Sequence, residues 1–320
     1  MDTASHLLFG LTLAGLAHMD PVVSQHPELA QAIIAGTVIG SHAPDFDTVS
    51  RLKGYSFYIR HHRGVTHSLP GLFLWPALLA TLFGYGFGVL DFWMTLYVWI
   101  FAAVFFHVFL DLLNTYGVQC LFPFSKKWMH LDILNLFEPF LFFLHASGAV
   151  CWLFLDVDPV RIFPLVYLLS LIYILMRAYQ HGVLLKKLKE TIGRGGIYHL
   201  FPNLHWFHWR FVVETDECFY TGVMTYGKVI IQQYYLKEDK NPIIERTEET
   251  DGVRAFLKFA QRVHVTCQKV EDGYEVKWSD VRFWYNSKLT FGVDIKLDHN
   301  LNVTHHELGW RKGMLEPPFV

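Results

Sequence analysis

The stretch Leu69–Leu90, LPGLFLWPALLATLFGYGFGVL, carries no charged side chain, and its reading decides the fold class. Coiled as an α-helix at 1.5 Å per residue, it is long enough to cross a hydrocarbon layer ~30 Å thick. It is therefore read as a membrane span. The neighbouring stretch Phe92–Leu113 is nearly as apolar, but His107 and Asp111 lie in its last turns. An ionisable group at that depth costs several kcal/mol unless a partner or water compensates it. Further along, Pro139–Leu155 is a third expected span and Ile162–Met176 a fourth. The fourth is short and requires Arg161 and Arg177 to snorkel at its ends.

The loops set the expected orientation. Arg51, Lys53, Arg60 and Arg63 precede the first span, Lys126 and Lys127 follow the second, and Arg177, Lys186, Lys187, Lys189 and Arg194 follow the fourth. The intervening connections hold Asp91, Asp156, Asp158 and a single basic residue, Arg161. Positive charge concentrates on the cytoplasmic side, so four spans leave both termini cytoplasmic in a multi-pass cell-membrane protein. Leu7–Leu16 and Leu29–Gly40 are too short to cross alone and are expected as helices packed in the bundle or at its rim. The segment Met1–His6 has an acidic residue where a secretory leader would be basic, and is expected to be retained.

Composition agrees with a membrane protein. Of 320 residues, 52% are hydrophobic and 17% aromatic, and the mean hydropathy is positive. With 27 basic against 29 acidic side chains there is no polycationic surface, and nucleic acid is not an expected partner. The cysteines Cys120, Cys151, Cys218 and Cys267 have no C-x-x-C spacing, which argues against both a disulfide framework and a thiolate metal cage.

From about His199 the pattern changes to alternation at period two, over Lys228–Gln232, Val263–Cys267, Tyr274–Trp278, Val281–Tyr285 and Leu289–Leu297. These read as strands. Asp272-Gly273 and Asp298-His299-Asn300 are turn signals, and Val253, Phe256, Leu257 and Ala260 recur at helical spacing. The expected fold is thus a membrane α-helical bundle of about four transmembrane helices plus N-terminal non-spanning helices (residues 1–185), a basic linker (186–198), and a C-terminal α+β, mostly β, cytoplasmic domain (199–320). His199, His205 and His208 beside Trp206 and Trp209 suggest an interfacial aromatic belt at the junction. His305 and His306 are expected to be exposed.

The chemistry concentrates in the first third of the chain, in His6, His42, Asp45, Asp47, His61, His62, His67, His107 and Asp111. His107 and Asp111 stand i, i+4, on one helix face, a spacing suited to one metal ion or to bridging two. Taken alone, such a pair also fits a hydrogen-bonded couple at a helix end. Both residues, however, lie at the end of the second span that faces the same side as His62-Arg63-Gly64-Val65-Thr66-His67. Pro44-Asp45-Phe46-Asp47 adds carboxylates on a segment that Pro44 keeps from continuing a helix, and by itself it fits a plain Asx turn equally well. So many imidazoles and carboxylates at one depth repel or stay unsatisfied unless they hold cations. Without thiolate, such a set suits Zn²⁺, Mn²⁺ or Fe²⁺, and bridging carboxylates suit two ions.

These residues, with His107-x-x-x-Asp111 and Asn114-Thr115-Tyr116-Gly117, resemble the YdjM/YfhP-type membrane-bound, metal-dependent hydrolases over about Met1–Gly117. The β-rich tail is similar to the YfhP-like branch. The resemblance implies His6, Asp45, His62, His67, His107 and Asp111 as metal ligands or catalytic groups, with Asp45, Arg63 and Thr66 as the catalytic set, and with Asp47, Arg63 and Thr66 supporting the ligands or touching substrate. His42 and His61 fall outside the pattern. The expected function is hydrolysis by metal-activated water, with zinc or manganese in one or two ions, of a phosphoester or lipid-like substrate met at the cytoplasmic face. Membrane lipid is the expected partner. An ion or metal transporter, or a regulatory membrane protein with a structural metal site, are the other readings. Transport wants ionisable groups along a path, and the third and fourth spans offer only His145, expected as a packing histidine.

Overall fold

A computed structural model describes residues 1–239 and 241–311. The last residues assigned to the tail from its sequence, 312–320, lie outside the described part. Eight helices open the chain: α1 Thr3–Ala17, α2 Pro21–Gln25, α3 Pro27–Gly40, α4 Tyr55–His61, α5 Leu69–Gly86, α6 Trp93–Leu112, α7 Pro139–Leu155 and α8 Pro159–Ile192. Short 3₁₀ segments run over Ala43–Lys53 and Val65–His67. Among the described residues three helices are long and apolar enough to cross a membrane: α5, the 23-residue stretch ending with α6, and α8.

α7, the expected third span, has 17 residues; it is one of the shorter apolar helices of the chain, at the lower end of the roughly 17–25 residues that a crossing helix takes. The expected fourth span, Ile162–Met176, lies in the first half of a 34-residue helix, α8. Arg177 does not snorkel. It is 1% exposed, and its Nη1 donates to Gln180 Oε1 at 2.8 Å. The basic stretch expected as a linker also belongs largely to α8. Leu184, Leu185, Leu188 and Ile192 repeat at helical spacing and pack against a sheet, and that burial keeps the helix going.

By its internal contacts the chain divides into two compact units. Met1–Asp47 and His62–Gln180 form the first; Thr48–His61 and the described residues from His181 on form the second. In the first unit, α6 is central. Its Leu96, Ile100 and Val104 are buried with Ala32 and Ile33 of α3 and Leu72 and Leu79 of α5. α1 and α3 come together at Gly10, where a Cβ would lie 2.7 Å from the Thr37 carbonyl oxygen. The short apolar helices α1 and α3 are thus packed in the bundle, as expected. His145 of α7 bonds both Thr12 Oγ1 (2.7 Å) and Ser170 Oγ (2.9 Å), the satisfied packing histidine anticipated from its setting.

The second unit holds two four-stranded antiparallel sheets. One is the meander β1 Ile197–Pro202, β2 His208–Glu214, β3 Cys218–Thr225 and β4 Lys228–Leu236. After α9 Pro242–Glu248 and α10 Asp251–Phe259 come β5 Val263–Val270, β6 Gly273–Asp280, β7 Trp284–Tyr285, β8 Lys288–Leu289, β9 Phe291–Leu297 and β10 Val303–Trp310. The second sheet has the order β10-β9-β6-β5, and β7 pairs β8 alone. The hairpin at Asp272-Gly273 and the Asp298 turn are both present; Asp298 Oδ1 accepts from the Asn300 and Asn302 amides at 2.8 Å. β1, β2 and β3 escape the sequence reading because aromatics and histidines interrupt their alternation. Trp209, read as part of a surface belt, is 1% exposed in β2. His305 and His306 are exposed.

Candidate metal centre

Each part of the site is delivered by an element whose local chemistry fixes it. Asp2 caps α1, its carboxylate accepting the Ser5 amide at 3.0 Å, which starts the helix one turn before His6. His67 ends the 3₁₀ turn Val65–His67, and α6 carries His107 and Asp111 on one face. Asp45 and Asp47 sit on the 3₁₀ segment after α3.

His67 Nε2 and His107 Nε2 face each other at 3.1 Å. Asp45 Oδ1 lies 3.3 Å from the first and 3.6 Å from the second, and Asp111 Oδ2 lies 3.8 and 3.9 Å from them. Four donor atoms therefore point at one spot, all within 4.8 Å of one another. Ligand atoms about 2.0–2.1 Å from a tetrahedral Zn²⁺ stand about 3.3–3.4 Å apart, within the spread of separations seen here. The buried Asp45 Oδ1 accepts no hydrogen bond, the condition of an atom meant for a cation. The residues present thus fit a divalent ion.

Tautomers agree. His107 Nδ1 is 2.7 Å from the Ser41 carbonyl, which can only accept, so Nδ1 carries the proton and Nε2 offers its lone pair. Burial lowers the His67 pKa and keeps that ring neutral. Burial by itself would raise Asp45, yet His107 and His67 beside it hold its carboxyl well below the usual range.

The remaining residues surround this centre. His6 stacks on His107, with ring centroids 3.8 Å apart, and its Nε2 is 3.4 Å from Asp111 Oδ1. The Met1 amine donates to the same Asp111 oxygen and lies 3.0 Å from His6 Nε2. His62 joins Asp47 and not the four-atom cluster, with Nδ1 2.6 Å from Asp47 Oδ1. Asp47, His62 and Asp45 form a second group within 4.8 Å that could hold an ion, with Asp45 common to both. Asp47 also accepts from the Arg63 amide (3.1 Å) and from Thr66 Oγ1 (2.6 Å). It therefore orients three residues of the 62–66 turn. Arg63 is buried and in a left-handed backbone conformation, φ 58°, and its guanidinium sits 3.2 Å from Asp111 Oδ2. His42 is half-buried with Nδ1 unbonded, whereas exposed His61 bonds the Phe57 carbonyl at 2.8 Å, in the second unit and outside the cluster.

The family model for "YdjM inner membrane protein" matches residues 1–184, which contain every residue named above. The chain belongs to the YdjM inner membrane protein family. A second model, the YfhP C-terminal alpha/beta plait domain, matches residues 242–316, where α9, α10 and the β10-β9-β6-β5 sheet lie. The chain is 33% identical to "Uncharacterized protein YfhP" of Bacillus subtilis (strain 168) over 314 residues, 97% of this chain and 95% of that protein. No solved structure matches.

Two contributors to the candidate centre of this YdjM-family chain were assigned no role from sequence. Asn114 Nδ2 donates to Asp111 Oδ1 at 3.2 Å, while its Oδ1 accepts the Tyr116 amide at 2.8 Å. Its place in the quoted Asn-Thr-Tyr-Gly run was the only hint. The Ser41 group that sets His107 is a backbone carbonyl, which any residue supplies.

Proposed function

We propose that this chain is a membrane-bound, metal-dependent hydrolase that cleaves a phosphoester of a lipid or similar amphiphile at the cytoplasmic face, with zinc or manganese as the cation. The observation that carries the reading is the convergence of His67 Nε2, His107 Nε2, Asp45 Oδ1 and Asp111 Oδ2 on one buried point. A divalent cation there would supply Lewis-acid activation of water, lowering its pKa from 15.7 toward about 7. The chain's own residues divide the rest of the work. His67, His107 and Asp111 have side chains at 0% exposure, whereas Asp45 is 21% exposed. Asp45 is thus the most exposed of the four, the member nearest to water and substrate. Arg63 offsets the Asp111 charge from 3.2 Å and is the cation proposed to meet a phosphate oxygen. Thr66, bonded to Asp47, holds the turn that aims His67, and His6 steadies Asp111 from the opposite side. His62 and Asp47, sharing Asp45 with the main group, would hold a second ion if two bind.

The test is elemental analysis and turnover of the purified full chain, assayed on phosphodiester and lipid phosphoester substrates with Mn²⁺ or Zn²⁺. His67→Ala and Asp111→Ala are each expected to lose bound metal and all hydrolysis. Wild-type protein that binds metal without turnover, or mutants that keep turnover, would overturn the proposal; the first outcome favours a structural or transport role.

A further inference from the structure

The sheet β1–β4 lies along the last turns of α8, and its contacts fix which end is which. His181 Nε2 bonds the Leu200 carbonyl at 3.1 Å and its ring lies 5.7 Å from that of Trp209. At the other extreme, the Tyr198 hydroxyl donates to the Arg194 carbonyl at 2.7 Å and Arg194 Nη1 donates to the Tyr220 hydroxyl. β1 therefore runs from the Arg194 end toward the His181 end and β2 returns. The connection 203–207 and the tight turn at Tyr226-Gly227 consequently lie at the His181 end, where α8 emerges from its apolar stretch. The connection Thr215–Glu217 lies at the far end.

The two ends differ in chemistry. At the His181 end, Leu204 (47%), Trp206 (39%), Phe207 (52%) and Tyr226 (73%) are exposed. Phe207 and Tyr226 stack at 5.4 Å, and the Tyr226 amide donates to the Phe207 carbonyl at 3.0 Å, which makes the two connections one tip. Lys228 follows this tip directly, and Lys187 Nζ lies 3.1 Å from where a Gly227 Cβ would be. Neither Ile197–Val213 nor Phe219–Leu236 contains an Asp or Glu. The far connection, by contrast, gathers Glu214, Asp216 and Glu217. Amphipathic aromatics flanked by lysine favour the headgroup layer of a membrane, and acidic groups are kept from it.

We infer that the 203–207 and 226–227 tip is a membrane-docking surface, seated in the headgroup layer of the same bilayer that α8 enters. Three observations select the bilayer over a protein partner. The tip lies at the end of the sheet from which α8 continues into its apolar segment, the aromatics stand beside lysines with no acid among them, and the acids collect at the opposite end. The inference rests on α8 as a span and is independent of the proposed hydrolase.

The experiment is site-specific photocrosslinking in the full chain in membranes. Phe207→p-benzoylphenylalanine and Tyr226→p-benzoylphenylalanine replace exposed rings with a larger exposed ring, so folding is not at stake. Leu78, 59% exposed on α5, is the lipid-facing reference, and Leu236, 61% exposed at the far end of β4, is the water-facing one. A lipid-mass adduct at position 207 or 226, with a yield comparable to position 78 and none at position 236, is expected. Lipid adducts at position 78 but at neither tip position overturn the inference. Crosslinks from the tip mainly to a second copy or to another protein overturn it as well.

Discussion

The Asn114 amide ties Asp111 to the backbone turn that follows α6, donating to the carboxylate while its carbonyl collects two amides, those of Tyr116 and Gly117. Removing such an outer partner commonly costs 10–100-fold in metal affinity. Asn114→Ala is expected to weaken Zn²⁺ or Mn²⁺ binding by about that factor with all candidate ligands intact, read by competition with a chelator. pH acts through His67, whose burial lowers its pKa below the ordinary value near 6.5. The sign follows from proton competition: the neutral ring binds metal, so metal is retained at neutral pH and is lost only in acid below the histidine range. Metal content followed through a pH titration checks this, and release at or above neutral pH would contradict it. At this scale much of the candidate cluster was legible, because Asp45, His67, His107 and Asp111 are ligand-type side chains. What sequence could not reveal was orientation. Nothing in the letters distinguishes His62, held on Asp47, from His67, which enters the main cluster.

At the level of elements, the 3₁₀ turn bearing His67 is wedged against the first turn of α5. Gly71 makes this possible, since a Cβ there would overlap the Thr66 carbonyl oxygen, and backbone has little room to yield. Gly71→Ala is expected to push the turn outward, destabilise the protein by about 1–3 kcal/mol and lower metal affinity together with it. Thermal unfolding with and without metal is the measurement, and unchanged binding would show that the turn is not under this constraint. Helices α5 and α6 were legible because an uncharged apolar run has few alternatives. α8 was half legible: its apolar part was clear, but its last turns are amphipathic, and their buried stripe of Leu184, Leu188 and Ile192 makes sense only beside the sheet. The sheet was missed in part for the reciprocal reason, since Trp209 and Phe211 bury against that same helix.

On the scale of the whole molecule, the second unit includes a segment that sequence order gives to the first. Between Asp47 and His62, residues 2.6 Å apart through Nδ1 and Oδ1, the chain runs out through Thr48–His61 and back. That excursion belongs by its contacts to the second unit: Arg60 pairs with Asp251, and Tyr58 is 2% exposed beneath the Arg51 guanidinium. Tyr58→Ala is expected to lower metal affinity although it removes no ligand. Arg60→Ala, which breaks only an exposed pair, is expected to change stability by less than about 1 kcal/mol and to leave binding as it was. Metal titration of both variants tests whether the packing of the 48–61 excursion bears on the site. A practical corollary concerns grafting: a hybrid that borrows the carboxyl-terminal half of another family member should import its counterpart of positions 48–61 too. Otherwise the borrowed half lacks a strip of chain whose contacts lie within it.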